Sequence, residues 1–333
     1  MLPNNAVLHI TSCCSHHCPF CYYIDDTATH YPQDYGVLKR IVNELAKYDC
    51  ENILFVGGDP ASHPDVINLG HYAKSLGMNT SILSNTLKLN SKFTWTDIAN
   101  AFNTIEVTIH SSEPKVHNVF CGKERAFEAA VKNLKTIDSL SQESIHLGVV
   151  FNITPDTYYD IYNAIKRIVT IDNIHIDHVV FQRIVSIGRA FENKNWMLKQ
   201  QHISIIFAQI EQIEKEFSLD IYLEDSFPLC TVPERYRHFV HSCQWGSFGI
   251  SLDMHGNVAK CCVDSRYTLG NILETPLPEI WNLSRKLEER RRGLLVPERC
   301  RHCILYPKCG GGCILASELN NCSGDPLITM EVI

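Results

Sequence analysis

Residues 7–21 read VLHITSCCSHHCPFC, a strand-like apolar run followed at once by cysteines at 14, 18 and 21. The order places Cys14, Cys18 and Cys21 in the loop at the end of a first strand, where the sites of parallel sheets collect. A cubane iron–sulfur cluster has four irons and takes four thiolates when closed. Three cysteines in one tight loop leave one iron open to a substrate or cofactor. Cys13 adjoins the set, but strand geometry aims it away from Cys14. A structural zinc ion is the plainer alternative, with only His16 or His17 near enough to serve as fourth ligand.

Outward from this loop, residues from about 6 to 217 alternate between the two periodicities of βα units on a parallel sheet. Strand-like runs are VLHI (7–10), NILFVG (52–57), NTSIL (79–83), IEVTI (105–109), HLGVVF (146–151) and HVVFQRIV (178–185). Helical faces run through Val37, Leu38, Ile41, Val42 and Leu45, through Phe127, Ala130, Val131, Leu134 and Ile137, through Ile161, Ile165 and Ile168, and through Ile203 to Phe217. Six strands with six crossovers predict an α/β fold, a partial (β/α)6 TIM-like barrel over 1–217. The pattern breaks up over 218–242, as a bridge would. Residues 243–325 are rich in Cys and Gly, with a hairpin predicted at SLDMHGNVAKC (251–261) and an amphipathic helix around 277–292; 326–333 is a tail. This part holds too little apolar material for a core of its own, so metal is expected to supply its folding energy.

The chain is that of a globular protein, with 45% hydrophobic and 20% charged residues. No apolar run approaches the length of a membrane span, and MLPNNAVLHIT has no signal-peptide character. The formal charge of −7 argues against nucleic acid as the main partner. The basic run Arg290-Arg291-Arg292 precedes Gly293 and reads as the last turn of a helix. Fifteen cysteines without an export signal point to metal in a reducing cytoplasm rather than to disulfides.

Seven further cysteines are spaced as Cys243-x17-Cys261, Cys300-x2-Cys303-x5-Cys309-x3-Cys313 and Cys322. They suffice for one or two more clusters. Two zinc sites are the alternative, since such spacings also bind zinc. Of the rest, Cys50 and Cys262 read as packing residues.

The Cys-x3-Cys-x2-Cys motif with Phe20 before its last cysteine resembles the radical S-adenosylmethionine (SAM) superfamily. Gly57-Gly58-Asp59-Pro60 after the second strand looks like the family's GGEP segment, which holds the SAM amino group, with Asp in place of Glu. The glycines would allow close backbone approach. Ser84-Asn85 resembles the ribose-contacting segment. VTIHSSEPKVHNVFCG (107–122) resembles the fourth-strand stretch, with His110 where Asp is common and Cys121 where Arg is common. Asn152 sits where a polar SAM contact is frequent, and RIVSIGRA (183–190) resembles the sixth-strand segment.

The C-terminal spacing resembles the SPASM extension. By that resemblance Cys300, Cys303, Cys309 and Cys322 would hold one auxiliary cluster, and Cys243, Cys261 and Cys313 another. The fourth ligand of the latter is open: related enzymes have a cysteine where Arg237 stands, and Cys230 is the substitute candidate. The alternatives are an open iron or Cys230 as a hydrogen-atom donor. Related enzymes follow the second cysteine with an Asp base where Cys262 stands here; Asp264 is the substitute candidate, and Cys121 and His110 are further catalytic candidates.

The resemblance implies SAM and three [4Fe-4S] clusters as cofactors, and a flavodoxin or ferredoxin as reductant. It implies reductive cleavage of SAM to a 5′-deoxyadenosyl radical that abstracts hydrogen from a C–H bond. A peptide substrate is expected, to be cross-linked, epimerised or oxidised. With the motif starting at residue 14 there is no room for a leader-binding domain, so a peptide is expected to be recognised by the barrel itself or through a separate leader-binding protein. The alternatives are oxidation of a small molecule or tetrapyrrole side chain, and a non-catalytic multi-cluster electron carrier.

Overall fold

The computed structural model describes residues 2–23, 31–89, 93–140, 145–192 and 194–328. The last residues of the expected tail, 329–333, lie outside them. All six expected strands form: β1 (Asn5–His9), β2 (Asn52–Val56), β3 (Asn79–Ser84), β4 (Thr104–Thr108), β5 (His146–Ile153) and β6 (His178–Arg183). They pair in parallel in chain order.

The helix α1 (Tyr35–Lys47) shows why the crossovers form. Leu38, Ile41, Val42 and Leu45 recur at helical spacing and are fully buried. Asp34 caps its start, accepting from the Val37 N–H at 3.2 Å, a contact worth about 1 kcal/mol. The other crossovers carry α2 (Val66–Ser75), α3 (Trp95–Ala101), α4 (Pro114–Cys121), α5 (Ala126–Leu140), α6 (Ile161–Lys166) and α7 (Gln200–Phe217).

The sheet is larger than the expected six strands. β7 (Asp220–Leu223) continues it in parallel beside β6, inside the stretch read as a bridge. Four residues are too few for a period of two to stand out. On the opposite side, β8 (Gly249–Leu252) pairs in parallel with β1, from Asn5 opposite Gly249 to Leu8 opposite Leu252. The predicted hairpin follows as β8 and β9 (Asn257–Cys261), and β10 (Asp264–Asn271) adds a further antiparallel strand. One ten-stranded sheet thus runs β10-β9-β8-β1-β2-β3-β4-β5-β6-β7.

The C-terminal cysteine region consequently shares its core with the barrel. Ile250, Leu252, Val258, Ile280 and Trp281 bury in the same apolar cluster as Leu8 and Ile41. The helix expected around 277–292 divides at Ser284 into α8 (Leu277–Leu283) and α9 (Arg285–Arg291), with Ser284 capping the second. The short helices α10 (Glu298–Arg301), α11 (Tyr306–Cys309) and α12 (Ile314–Leu319) carry or border the last cysteines. Among the described residues no helix is long and apolar enough to cross a membrane.

Candidate active site and cluster cavities

The cysteine loop after β1 is gripped from three sides at the C-terminal ends of the strands. From β2, Gly58 N–H donates to the Thr11 carbonyl at 2.8 Å and Asp59 N–H to the Cys13 carbonyl at 2.7 Å. A Cβ on Gly58 would overlap the Ser12 and Cys13 carbonyls. The glycines expected to admit a ligand therefore admit the loop itself. From α4, the Cys121 carbonyl accepts from His17 N–H at 2.9 Å. From the end of β6, Arg189 donates from its backbone to the Cys21 carbonyl at 3.0 Å and from Nη1 to the Cys18 carbonyl at 3.1 Å. Gly188, at φ +58°, packs so closely on that turn that a Cβ would strike the Cys21 carbonyl.

Cys14, Cys18 and Cys21 are all free thiols. Cys14 Sγ accepts from His16 N–H at 3.3 Å and from Asn85 Nδ2 at 3.6 Å. Burial pushes the Cys14 thiol up to about 11 and raises those of Cys18 and Cys21, while the Arg189 guanidinium opposes the rise at both of the latter. Bare thiolates are disfavoured there, and a bound cationic metal reverses that balance. Three mutually close thiols with aimed donors fit an iron–sulfur cluster.

Asp59 is 1% exposed. One carboxylate oxygen accepts from Ser84 Oγ at 2.7 Å; the other, Oδ2, has no hydrogen-bond partner among the described residues. Burial pushes the carboxyl up to about 6, against the opposing Ser84 bond. A buried acceptor left open in this way suits a cationic ammonium such as SAM carries. Pro60 opens the tight turn Pro60–Ser62 that follows. Asn85 Oδ1 accepts from Ser15 Oγ at 3.3 Å and from Leu87 N–H at 3.1 Å, so Asn85 reaches the cysteine loop twice. Asn152 lies within β5, half-buried and opposite Gln182 of β6.

Phe20 is buried edge-on to His110 at 5.3 Å, against Phe120 and Trp196. The buried His110 ring has its Nδ1 without a partner among the described residues, and burial lowers its pKa well below the ordinary value. The His110 N–H donates to His117 Nδ1 at 3.1 Å, and His117 Nε2 meets the Cys121 thiol at 3.2 Å. His117 and Cys121 share a face of α4 at i,i+4. Burial holds His117 down to about 3 and Cys121 up to about 12, so the pair is neutral. His117 lay within the quoted motif without a role; only its spacing from Cys121 marked it.

The C-terminal cysteines divide into two groups. Cys243, Cys261 and Cys313 line a cavity of about 450 Å³, bordered by Arg290 and Lys260. Arg290 Nη2 donates to the Cys243 carbonyl at 2.8 Å. Cys313 N–H donates to Asp325 at 2.9 Å, and Asp325 pairs with the buried Arg183. Cys230 stands elsewhere: it is exposed, and Cys309, Cys300 and Cys303 act on its charge. The reason is local, since Leu229 N–H donates to Cys309 Sγ at 3.3 Å and ties that turn to α11. Cys322 follows α12, its N–H bonded to the Ser317 carbonyl at 2.8 Å. Asp264 is buried at the start of β10.

Between the cysteine sets lies a second cavity of about 400 Å³, lined by His9, Tyr22, Tyr23, Asp253, Cys261 and Cys262 among others. His9 stacks on Tyr23 at 5.0 Å, and its Nε2 meets the Cys262 carbonyl at 3.2 Å. Tyr22 lies beside Cys21, Cys261 and Cys262, and burial raises its phenol well above the ordinary value. Past β7, Glu224 is exposed and Asp225 half-buried. The sequence marks no role for His9, Tyr22, Tyr23 or Asp253, and Glu224 follows a strand, β7, too short to declare itself.

The profile of the radical SAM superfamily matches residues 8–165, and that of the SPASM iron–sulfur cluster-binding domain matches residues 243–304. The chain belongs to the radical SAM superfamily and carries a SPASM domain. It is 24% identical over 308 residues to the Fe-coproporphyrin III synthase of Methanosarcina barkeri, covering 84% of this chain and 75% of that one. It is 22% identical over 318 residues to the AdoMet-dependent heme synthase of Nitratidesulfovibrio vulgaris, covering 89% and 82%. Among solved structures, Streptococcus suis SuiB bound to precursor peptide SuiA matches with a TM-score of 0.77 at 15% identity, over 99% of this chain and 76% of that one. Native anSMEcpe with bound AdoMet matches with a TM-score of 0.67 at 15% identity, over 93% and 89%. These likenesses establish the barrel fold.

Proposed function

We propose that this radical SAM enzyme modifies a peptide, using three [4Fe-4S] clusters. Cys14, Cys18 and Cys21 would hold the SAM-binding one, and the two C-terminal groups of cysteines would hold the others. With SAM bound, a cluster held there would supply one-electron cleavage of the sulfonium and hence a 5′-deoxyadenosyl radical. The chain's own residues do the rest. Asp59, held by Ser84, receives the SAM ammonium; Asn85 orients Cys14; and Phe20 with His110 and Trp196 closes the apolar floor that keeps water out.

What supports the peptide reading is the likeness of fold to SuiB across 99% of this chain. SuiB, with its bound precursor peptide, has the same fold. A separate leader-binding protein, a flavodoxin or ferredoxin reductant and a cytoplasmic location complete the reading.

The second reading, oxidation of a tetrapyrrole, is favoured by the relatives that match across most of the chain. The test is 5′-deoxyadenosine formation on anaerobically reconstituted protein, with candidate precursor peptides and iron-coproporphyrin III added in parallel. Transfer of deuterium from a labelled peptide into 5′-deoxyadenosine supports the first reading. Turnover stimulated by the porphyrin alone replaces it with the second.

A further inference from the structure

We propose that Cys262, and not Cys230, is the fourth protein ligand of the cluster held by Cys243, Cys261 and Cys313. The proposal rests on the reading that those three thiols hold a cluster. All four cysteines line the one cavity of about 450 Å³. They are linked in series: Cys313 feels the charge of Cys243, Cys243 that of Cys261, and the Cys261 and Cys262 side chains are hydrogen-bonded to each other.

Consecutive residues of a strand point to opposite faces, which makes adjacent cysteines poor partners in a regular strand. Here β9 ends at Cys261, and Cys262 begins the turn into β10. The alternation stops at that point, and both side chains reach the same space. Among the described residues no three His, Cys, Asp or Glu side chains close on the volume of a single metal ion; a cubane accepts its thiolates from a wider tetrahedron. Arg290 and Lys260 on the cavity wall offset the negative charge of four thiolates. Asp225, after β7, lines the same cavity. Cys230 has other company in Cys300, Cys303 and Cys309.

The experiment compares full-length wild-type, Cys262→Ala, Cys230→Ala and Cys243→Ala proteins after anaerobic reconstitution, reading iron and sulfide per chain and the EPR spectrum of the reduced clusters. Cys262→Ala is expected to lose about four irons, one cluster's complement, or to convert one auxiliary signal to a new one, with Cys230→Ala sparing that signal. Full iron with an unchanged spectrum in Cys262→Ala overturns the proposal. Full iron in Cys243→Ala overturns the underlying reading instead. Should Cys262→Ala fail to fold, alkylation of wild-type protein before and after chelator treatment decides: Cys262 must gain reactivity together with Cys243. A Cys262 whose labelling ignores the chelator also overturns the assignment.

Discussion

Ser84 Oγ donates to Asp59 across the ends of β3 and β2 at 2.7 Å and leaves the other carboxylate oxygen of Asp59 without a partner among the described residues. If that oxygen receives the SAM ammonium, Asp59→Asn weakens SAM binding by about 1.5–3 kcal/mol, the worth of a hydrogen bond to a charged group. The sign of the pH dependence follows. The carboxyl is raised to about 6, so the ammonium meets a carboxylate above that pH and a neutral acid below it. SAM affinity of the wild type should fall as pH drops through about 6, and that of Asp59→Asn should stay flat. Equilibrium SAM binding on reconstituted protein checks both.

Gly188 holds φ +58° with the Cys21 carbonyl where its Cβ would be. Gly188→Ala should destabilise the fold by about 1–3 kcal/mol through strain and overlap, and should loosen the turn that carries Cys21. A lowered melting temperature together with reduced retention of the N-terminal cluster's iron is expected. An unaffected iron content would show that the Gly188 contact does not seat the loop.

Arg183 and Asp325 form a buried ion pair that ties β6 to the backbone of Cys313. Asp325→Ala leaves the guanidinium uncompensated, a loss of about 3–5 kcal/mol. The double variant Arg183→Met with Asp325→Leu should recover much of that loss but not all, because the N–H groups of Cys313 and Leu327 also bond to Asp325. Thermal unfolding of the wild type and the two variants tests the ordering.

Cys121 is buried against a neutral His117, its thiol raised to about 12, whereas Cys230 is exposed. Iodoacetamide at neutral pH should modify Cys230 and spare Cys121 in the native protein, with peptide mass spectrometry as the readout. Early labelling of Cys121 would contradict this burial.

The features readable from sequence were those with local signatures. The first six strands are long enough to declare their periodicity, and the cysteine spacings name their chemistry without reference to the fold. What escaped depended on long-range geometry. β7 is four residues long and gains its identity only by lying against β6. α2, α3 and α4 are short, and tertiary packing rather than a strong periodic face supports them. Cys262 and Cys230 could not be sorted by spacing, because membership of a cavity is decided by where a strand ends and which turn a neighbour ties down. The glycines at 57 and 58 were legible as a motif, but their nearest clash is the chain itself.

The pairing of β1 with β8 makes one strand wait for a partner synthesised long after it. Asn5 finds Gly249 only after the residues between them have left the ribosome, and until then one edge of β1 is open to any extended chain nearby. The loop bearing Cys14, Cys18 and Cys21 hangs from that same strand. A cluster on that loop would therefore sit at the end of a strand whose sheet closes late, since such non-local pairing is intrinsically slow.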